Sequence, residues 1–158
     1  SEYNVTDVIR VNVTIPPAST TYCDVYFELP VTTNKQHIIR ISPHVHDGNQ
    51  EFVHHMLLYK CDPSQIDMND FLAPKDQCTN GGSDCDLPIF GWAVGADEFV
   101  FPQEVGLPFS ADPNDPQRTQ YVRLEMHYDN PNNIVGAQDY SGLTIYYTDN
   151  LRQYDGSM

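Results

Sequence analysis

Apolar and polar side chains alternate along the stretch Tyr121-Val-Arg-Leu-Glu-Met-His-Tyr128. Successive side chains of a β-strand point to opposite faces of the sheet, so this pattern predicts a strand with one buried face. One face carries Val122, Leu124 and Met126, and the other carries Arg123, Glu125 and His127. His127 is therefore expected on the polar face, on the same side as Glu125.

The same two-residue period extends over much of the chain and predicts an all-β fold. It recurs at residues 9–15 and 142–148. Further strands are predicted at 22–29, 37–42, 51–60, 89–94 and 98–101. The polar segments 62–88, 110–119 and 129–141 are interpreted as loops. About eight strands with turn signals between them predict an antiparallel β-sandwich or jelly roll.

Length and charge limit the class of function. A chain of 158 residues predicts a single domain, residues 1–158. Eight Lys and Arg against 22 Asp and Glu give a net charge of −14, which excludes a typical phosphate-tracking nucleic-acid binder and would attract cationic ligands. No apolar run is long enough to predict a membrane span. The sequence starts at Ser1 without a basic and apolar leader, so no signal peptide is expected within it, and an upstream segment is expected to have been removed.

The four cysteines, Cys23, Cys61, Cys78 and Cys85, contain no C-x-x-C pair. An even number in an acidic, loop-rich chain favours two disulfides and a secreted or secretory-lumen location. The alternative is four free buried thiols in a cytosolic protein. Three connectivities are open at this point. Two glycosylation sequons, at Asn4 and Asn12, favour the secretory route, and Asn12 is expected on the outward face of its strand.

Two adjacent histidines, His54 and His55, lie inside an apolar run. Burying two imidazoles without partners is costly, and imidazole is a good ligand for copper, zinc, iron and nickel. Neighbouring strand residues point to opposite faces, so both rings reach one ion only if the strand twists or bulges there. The alternative is that one ring faces water and the other hydrogen-bonds in the core. His127 is the natural third ligand.

A second histidine pair, His44 and His46, could place both rings on one strand face. Its surroundings are more typical of a strand running into a turn, with two ordinary histidines in a solvated loop as the alternative. His37 has no supporting pattern and is expected to be structural or exposed. No G-x-S-x-G elbow or glycine-rich phosphate loop indicates another chemistry.

Several strings carry a family resemblance. The most specific is Val53-His-His-Met-Leu-Leu-Tyr-Lys-Cys61. The others, in chain order, are Thr20-Thr-Tyr-Cys23, Glu28-Leu-Pro30, Gly91-Trp-Ala-Val-Gly-Ala96, Phe101-Pro-Gln-Glu-Val-Gly-Leu107, Tyr121-Val-Arg-Leu-Glu-Met-His-Tyr-Asp-Asn-Pro131, Ser141-Gly142, Tyr146-Tyr-Thr148 and Leu151-Arg152. Together they resemble the N-terminal copper domain of the copper type II, ascorbate-dependent monooxygenases. The likeness covers nearly the whole chain from about residue 8 and leans towards the dopamine β-monooxygenase branch rather than the peptidylglycine α-hydroxylating branch.

This resemblance implies a disulfide-stapled jelly-roll sandwich, the first of two domains in a catalytic core. It implies one copper ion held by His54, His55 and His127, which stores and delivers an electron. Ascorbate reduces the metals, and a second copper domain in cis activates O2 to hydroxylate an aliphatic C–H bond. The implied disulfides are Cys23–Cys78 and Cys61–Cys85, which close loops of roughly 56 and 25 residues.

Departures from the family pattern lead to separate expectations. The second domain and its ligands are absent, so this domain alone should bind one copper without hydroxylating a substrate. Tyr140 stands where the peptide-acting branch has a cysteine. His44 and His46 are additional here, and one hypothesis makes them a local second metal site.

The leading hypothesis is therefore the electron-transfer domain of a copper monooxygenase acting on a small molecule, with a cationic amine as a candidate. Glu125 could orient His127, or be merely solvated. Met56 could contact the metal as a weak soft ligand, or pack in the core. The rival hypothesis is a non-catalytic secreted module that binds copper or uses the sandwich for protein contacts.

Overall fold

The computed structural model describes residues 5–30, 32 and 34–156. The sequon at Asn4 begins outside these residues. The strands are β1 (Val5–Arg10), β2 (Val13–Thr14), β3 (Thr20–Glu28), β4 (Gln36–His44), β5 (Val53–Lys60), β6 (Leu87–Ala93), β7 (Phe99–Val100), β8 (Val105–Phe109), β9 (Tyr121–Asp129), β10 (Gln138–Asp139), β11 (Gly142–Thr148) and β12 (Tyr154–Asp155). One short helix, α1, spans Met68–Leu72.

Two main sheets contribute to one hydrophobic core. The larger sheet has the strand order β1-β11-β4-β8-β12, with β7 paired to β4, and the smaller has the order β3-β9-β5-β6. Side chains from both meet in the core, for example Ile9 and Leu143 from the larger sheet and Leu124 and Met126 from the smaller. The all-β prediction is confirmed, and the finer jelly-roll assignment stays a prediction. One difference from a fully antiparallel fold is that β12 runs parallel to β8.

The alternating stretch 121–128 lies in β9. The residues of this strand alternate between half-buried and buried from Tyr121 to Asp129. Val122, Leu124 and Met126 are fully buried, as their spacing predicts. The strand continues one residue beyond the predicted 121–128, because the N–H of Asp129 donates to the carbonyl of Phe52 at 2.8 Å. This extension places a carboxylate on the same face as His127.

Residues 9–15, predicted as one strand, form two. β1 pairs with β11, whereas β2 pairs with β10. Between them the N–H of Val11 donates to Ser141 and that of Asn12 donates to Lys75. The side-chain alternation survives this change of partner, since Ile9, Val11, Val13 and Ile15 are all buried. The two-residue alternation of apolar side chains thus predicted the buried face correctly, but it did not predict which strands the segment pairs with.

Segment 62–88, interpreted as a loop, contains α1. The carboxylate of Asp67 caps the helix by accepting from the N–H of Asn69. Phe71 is buried in a small cluster with Tyr26 and the disulfide Cys61–Cys85. A helix of five residues is too short to show a helical period, so tertiary packing stabilises it rather than sequence propensity. Strands β8, β10 and β12 were also absent from the prediction.

Both implied disulfides are present, Cys23–Cys78 and Cys61–Cys85, and no cysteine is free. The first ties β3 to the long polar segment, and the second ties the end of β5 to the residues before β6. Within the described residues, no helix is long and apolar enough to cross a membrane.

Candidate metal centre

Three histidines meet on the outer face of the smaller sheet. β5 and β9 are antiparallel neighbours, and their register places His55 directly opposite His127. The Nδ1 atoms of these two rings are 2.9 Å apart, and the ring centroids are 4.3 Å apart. The core-facing neighbours of this pair, Met56 and Met126, also lie opposite each other, so the rings lie on the face away from the core.

His54 joins this pair through a β-bulge. Val53 pairs with Tyr128 and His55 pairs with His127, so His54 is an extra residue without a partner on β9. Its Nδ1 lies 3.3 Å from Nδ1 of His55, and its ring centroid is 4.8 Å from that of His127. A regular strand would send adjacent side chains to opposite faces. Because of the bulge, both side chains lie on the same face, which is the condition predicted above for both rings to reach one ion.

A buried network anchors the segment before the bulge. The carbonyl of Asn49 accepts from the N–H groups of Phe52 and Val53. The amide of Asn49 donates to Oδ1 of Asp139 at 2.8 Å, and the hydroxyl of Tyr128 donates to Oδ2 of the same carboxylate at 2.6 Å. Burial, together with the Asp139 carboxylate, raises the pKa of Tyr128, so its hydroxyl remains a donor. Asp139 thereby connects the segment before His54 to the residue after His127.

The three rings fit a metal ion with nitrogen ligands. Their ligand atoms lie within 4.8 Å of one another, and among the described residues this is the only group of three or more His, Cys, Asp or Glu side chains that could hold an ion. Two ring nitrogens each about 2 Å from one ion are roughly 3.3 Å apart at a tetrahedral angle, which equals the His54–His55 separation and is longer than the 2.9 Å between His55 and His127. Such an all-imidazole set suits copper, zinc, iron or nickel.

Burial lowers the pKa of His55, and the neighbouring His127 and His54 lower it further, while the carboxylates of Glu125 and Asp129 oppose this effect. A lower pKa favours the neutral ring, which is the form that binds metal. The neighbouring rings therefore disfavour protonation of His55 and leave its nitrogen lone pair available.

The ring of Tyr22 covers His127. β3 pairs with β9 so that Tyr22 lies opposite His127, and the two rings stack with centroids 4.7 Å apart and planes 20° apart. Tyr22 remains 61% exposed. Tyr22 was not among the predicted site residues. Its place immediately before the buried Cys23 could have indicated it, because that spacing puts it on the outer face.

Glu125 and Met56 have other neighbours. Arg123 donates from one Nη1 atom to Glu125 at 3.2 Å and to Asp24 at 2.9 Å. The arginine therefore holds Glu125 on the same face as the histidines. Met56 is fully buried in the core, as its packing alternative predicts.

Asp129 contacts the His127 ring at Nε2, whereas the Nδ1 atom of the same ring contacts His55. Its Oδ1 atom lies 3.2 Å from Nε2 of His127. That Nε2 atom is buried, yet it has no hydrogen bond that meets geometric criteria. Asp129 was not among the predicted site residues, because it was assigned to the loop 129–141 rather than to the strand.

The remaining histidines lie elsewhere. His44 ends β4 in the larger sheet. His46 accepts at Nδ1 from the backbone N–H of Tyr140 at 3.2 Å. His37 is buried; its Nδ1 accepts from the N–H of Arg152, and its Nε2 lies 2.8 Å from Asp155. This matches the structural role expected for His37. Metal binding by His44 and His46 stays a prediction.

An apolar groove lies beside His55. It is lined by Leu57, Gly91, Trp92, Ala93 and Ala96. The N–H of Val94 donates to the carbonyl of His54 at 3.1 Å, so the turn after β6 also fixes the bulge. The three histidines therefore have open surface on the β6 side and a stacked tyrosine on the β3 side.

Comparisons with known proteins identify the family of the chain. Residues 6–135 match the family described as copper type II ascorbate-dependent monooxygenase, N-terminal domain. Human DBH-like monooxygenase protein 1 is 37% identical over 96% of the chain and 25% of its own length. Human dopamine beta-hydroxylase is 37% identical over 93% of the chain and 24% of its own length. Mouse DBH-like monooxygenase protein 2 is 38% identical over 91% of the chain and 22% of its own length.

The chain thus spans about a quarter of the length of these relatives. The family match covers most of the chain and includes all three histidines of the site. This chain belongs to the copper type II ascorbate-dependent monooxygenase family, and it corresponds to the N-terminal domain of that family.

Proposed function

We propose that this chain binds one copper ion through His54, His55 and His127 and serves as the electron-transfer domain of an ascorbate-dependent monooxygenase. The observation that carries the proposal is the convergence of three Nδ1 atoms, made possible by the bulge at His54. Copper would supply a one-electron redox couple at this place. Family membership selects copper from the metals that an all-imidazole set accepts.

The chain's own residues would hold that ion in a preorganised binding site. The Asn49–Asp139–Tyr128 network and the hydrogen bond from Val94 hold the backbone on both sides of the ligands. Because these contacts fix the positions of the three rings, the rings would need little rearrangement during one-electron redox cycling of a bound ion. The open surface next to His55 leaves a path for an electron donor or acceptor.

The whole-protein activity is proposed from the family. Ascorbate would be the reductant, and a second copper domain in cis would use O2 to hydroxylate an aliphatic C–H bond of a small molecule. The net charge of −14 favours encounter with a cationic substrate such as an amine. On this proposal the present domain supplies an electron and does not itself hydroxylate the substrate.

We also propose a secretory location. Two disulfides fit an oxidising compartment. Asn12 of the second sequon is exposed, although its Oδ1 atom accepts from Gln138. Mass spectrometry of the chain expressed in secretory cells, before and after removal of N-glycans, tests whether Asn12 and Asn4 carry them.

Copper titration tests the metal site. Isothermal calorimetry and metal analysis should give one copper per chain. His127→Ala should abolish tight copper binding because only two of the three imidazoles remain. The matched His44→Ala/His46→Ala variant should keep the stoichiometry of one copper per chain. Circular dichroism would verify that both variants fold. Retention of tight binding by folded His127→Ala would refute the proposed ligand set, and a second equivalent lost with His44 and His46 would establish the local second site instead.

A further inference from the structure

The structure assigns to Asp129 a role as a positioning residue: it favours the tautomer of His127 in which Nε2 carries the proton and Nδ1 can bind a metal. The inference builds on the proposed copper site and concerns a positioning residue outside the ligand set. It starts from the position of Nε2 of His127, which is buried, has no hydrogen bond, and lies 3.2 Å from Oδ1 of Asp129.

A neutral imidazole carries its proton on only one of its two nitrogens. If Nδ1 of His127 carried the proton, the lone pair of Nε2 would lie next to the carboxylate of Asp129, 3.2 Å away, which is repulsive. If Nε2 carries the proton, the partly positive N–H lies 3.2 Å from the carboxylate oxygen, which is attractive, and Nδ1 presents its lone pair to His55 and His54. The negative charge of Asp129 therefore favours the tautomer that can bind a metal through Nδ1.

The backbone holds both members of this contact. Asp129 is two residues after His127, so the two side chains share one face of β9. Its N–H donates to Phe52 of the β5 side, and the residue also pairs with Thr20 of β3. Tyr22 stacks on the His127 ring and limits its rotation. The 3.2 Å distance between Nε2 and Oδ1 is short enough for a hydrogen bond, so a change in the angle at Nε2 alone would form one.

When a histidine binds a metal through one ring nitrogen, a carboxylate that accepts a hydrogen bond from the other ring nitrogen fixes the tautomer and raises the basicity of the ring. Glu125 is the only other acid at an equal spacing from His127 along β9, but Arg123 already bonds to it. The charge of Glu125 thus acts on the site from a distance, whereas Asp129 contacts the ring. This difference makes Glu125→Gln a matched control, since it removes the same charge from the same strand face.

The first test uses the metal-free chain. Long-range nitrogen–proton NMR correlations of the imidazoles, at a pH where His127 is neutral, report which nitrogen carries the proton. We expect Nε2–H for His127 in the unmodified chain and in Glu125→Gln, and a mixture or Nδ1–H in Asp129→Ala. Nδ1–H in the unmodified chain, or no change in Asp129→Ala, would overturn the inference whatever the chain does with copper.

The second test measures copper affinity by competition with a chromophoric chelator. Loss of an outer-shell partner typically weakens metal binding about 10- to 100-fold, so Asp129→Ala should fall in that range. Asp129→Asn keeps an acceptor oxygen and should recover part of the loss, and Glu125→Gln should change affinity less than Asp129→Ala. Equal losses in Asp129→Ala and Glu125→Gln would mean that charge alone acts, which contradicts the inference. A chain that binds no copper would fail the proposed function, while the NMR result still decides the role of Asp129.

Discussion

His54 illustrates how a single residue determines what a strand can bind. In an unbroken strand, His54 and His55 would lie on opposite faces, and His54 would enter the core. The bulge between Val53 and His55 turns His54 back to the outer face, beside His127. The candidate metal centre thus depends on a β-bulge, a local irregularity that is often found next to active sites.

Tyr22 allows a second test at the residue scale. Its ring stacks on His127 and covers one side of this proposed ligand. Aromatic stacking contributes about 0.5–1.5 kcal/mol, and the lower end applies to so exposed a ring. We expect Tyr22→Ala to weaken copper binding roughly two- to fivefold in chelator competition, because the His127 ring loses a constraint.

Tyr22→Phe is the matched control for that measurement, since it keeps the ring and removes only the hydroxyl group. It should bind copper as the unmodified chain does. A loss of similar size in Tyr22→Phe would assign the effect to the hydroxyl and contradict a role for stacking.

At the scale of elements, β5 and β9 form the site because the surrounding segments fix their register. Asp139 is fully buried and accepts hydrogen bonds from Asn49, Ser141 and Tyr128. It therefore connects the segment before β5, the end of β9 and the segment before β11. A register shift of one residue would send every side chain of β5 to the other face.

Removal of this carboxylate should destabilise the fold strongly. Asp139→Ala leaves several buried donors without an acceptor, so the free energy of unfolding should fall by about 3 kcal/mol or more. Urea denaturation monitored by tryptophan fluorescence measures the change. Asp139→Asn keeps one acceptor oxygen and should lose less.

Asp47 offers the control for that experiment, because it is exposed and lies in the segment that Asp139 anchors. Asp47→Ala should change the unfolding free energy by less than about 0.5 kcal/mol, as surface substitutions usually do. If Asp139→Ala proved as mild as Asp47→Ala, the buried network would not hold this region.

At the scale of the whole molecule, the net charge of −14 should affect the rate at which a charged reductant reaches the protein. Ascorbate is an anion near neutral pH, and Glu125 and Asp129 add negative charge next to the histidines. Like charges slow an encounter, and salt screens the repulsion. We expect the bimolecular rate of reduction of the copper-loaded chain by ascorbate to rise severalfold as salt is raised from low to physiological ionic strength.

Stopped-flow absorbance under anaerobic conditions follows this rate, with a neutral reductant such as hydroxylamine as the comparison. The neutral reductant should show little dependence on salt. A rate with ascorbate that falls with salt would indicate a local positive potential at the entry path and contradict the expectation.

Much of the fold and the site could be predicted from the sequence. Period-two alternation correctly assigned the buried faces of β9 and β11, because burial of one sheet face imposes it directly on the residues. The same signal failed for β8 and α1. The buried residues of β8 do not alternate, and α1 is stabilised by contacts with distant residues. Asp129 was missed because the hydrogen bond from its N–H to Phe52 is a tertiary contact.

By itself, the sequence determined the all-β class, the acidic charge, the candidate histidines and, through their order and spacing, the family. Those properties depend on residue types and on short-range periodicity. Only the tertiary structure decided that His54 and His55 share a face, that Tyr22 and Asp129 contact His127, and that Asp139 links the segments around them. These results depend on strand register and on one bulge, which are set by hydrogen bonds between residues far apart in the chain and leave no period in the sequence.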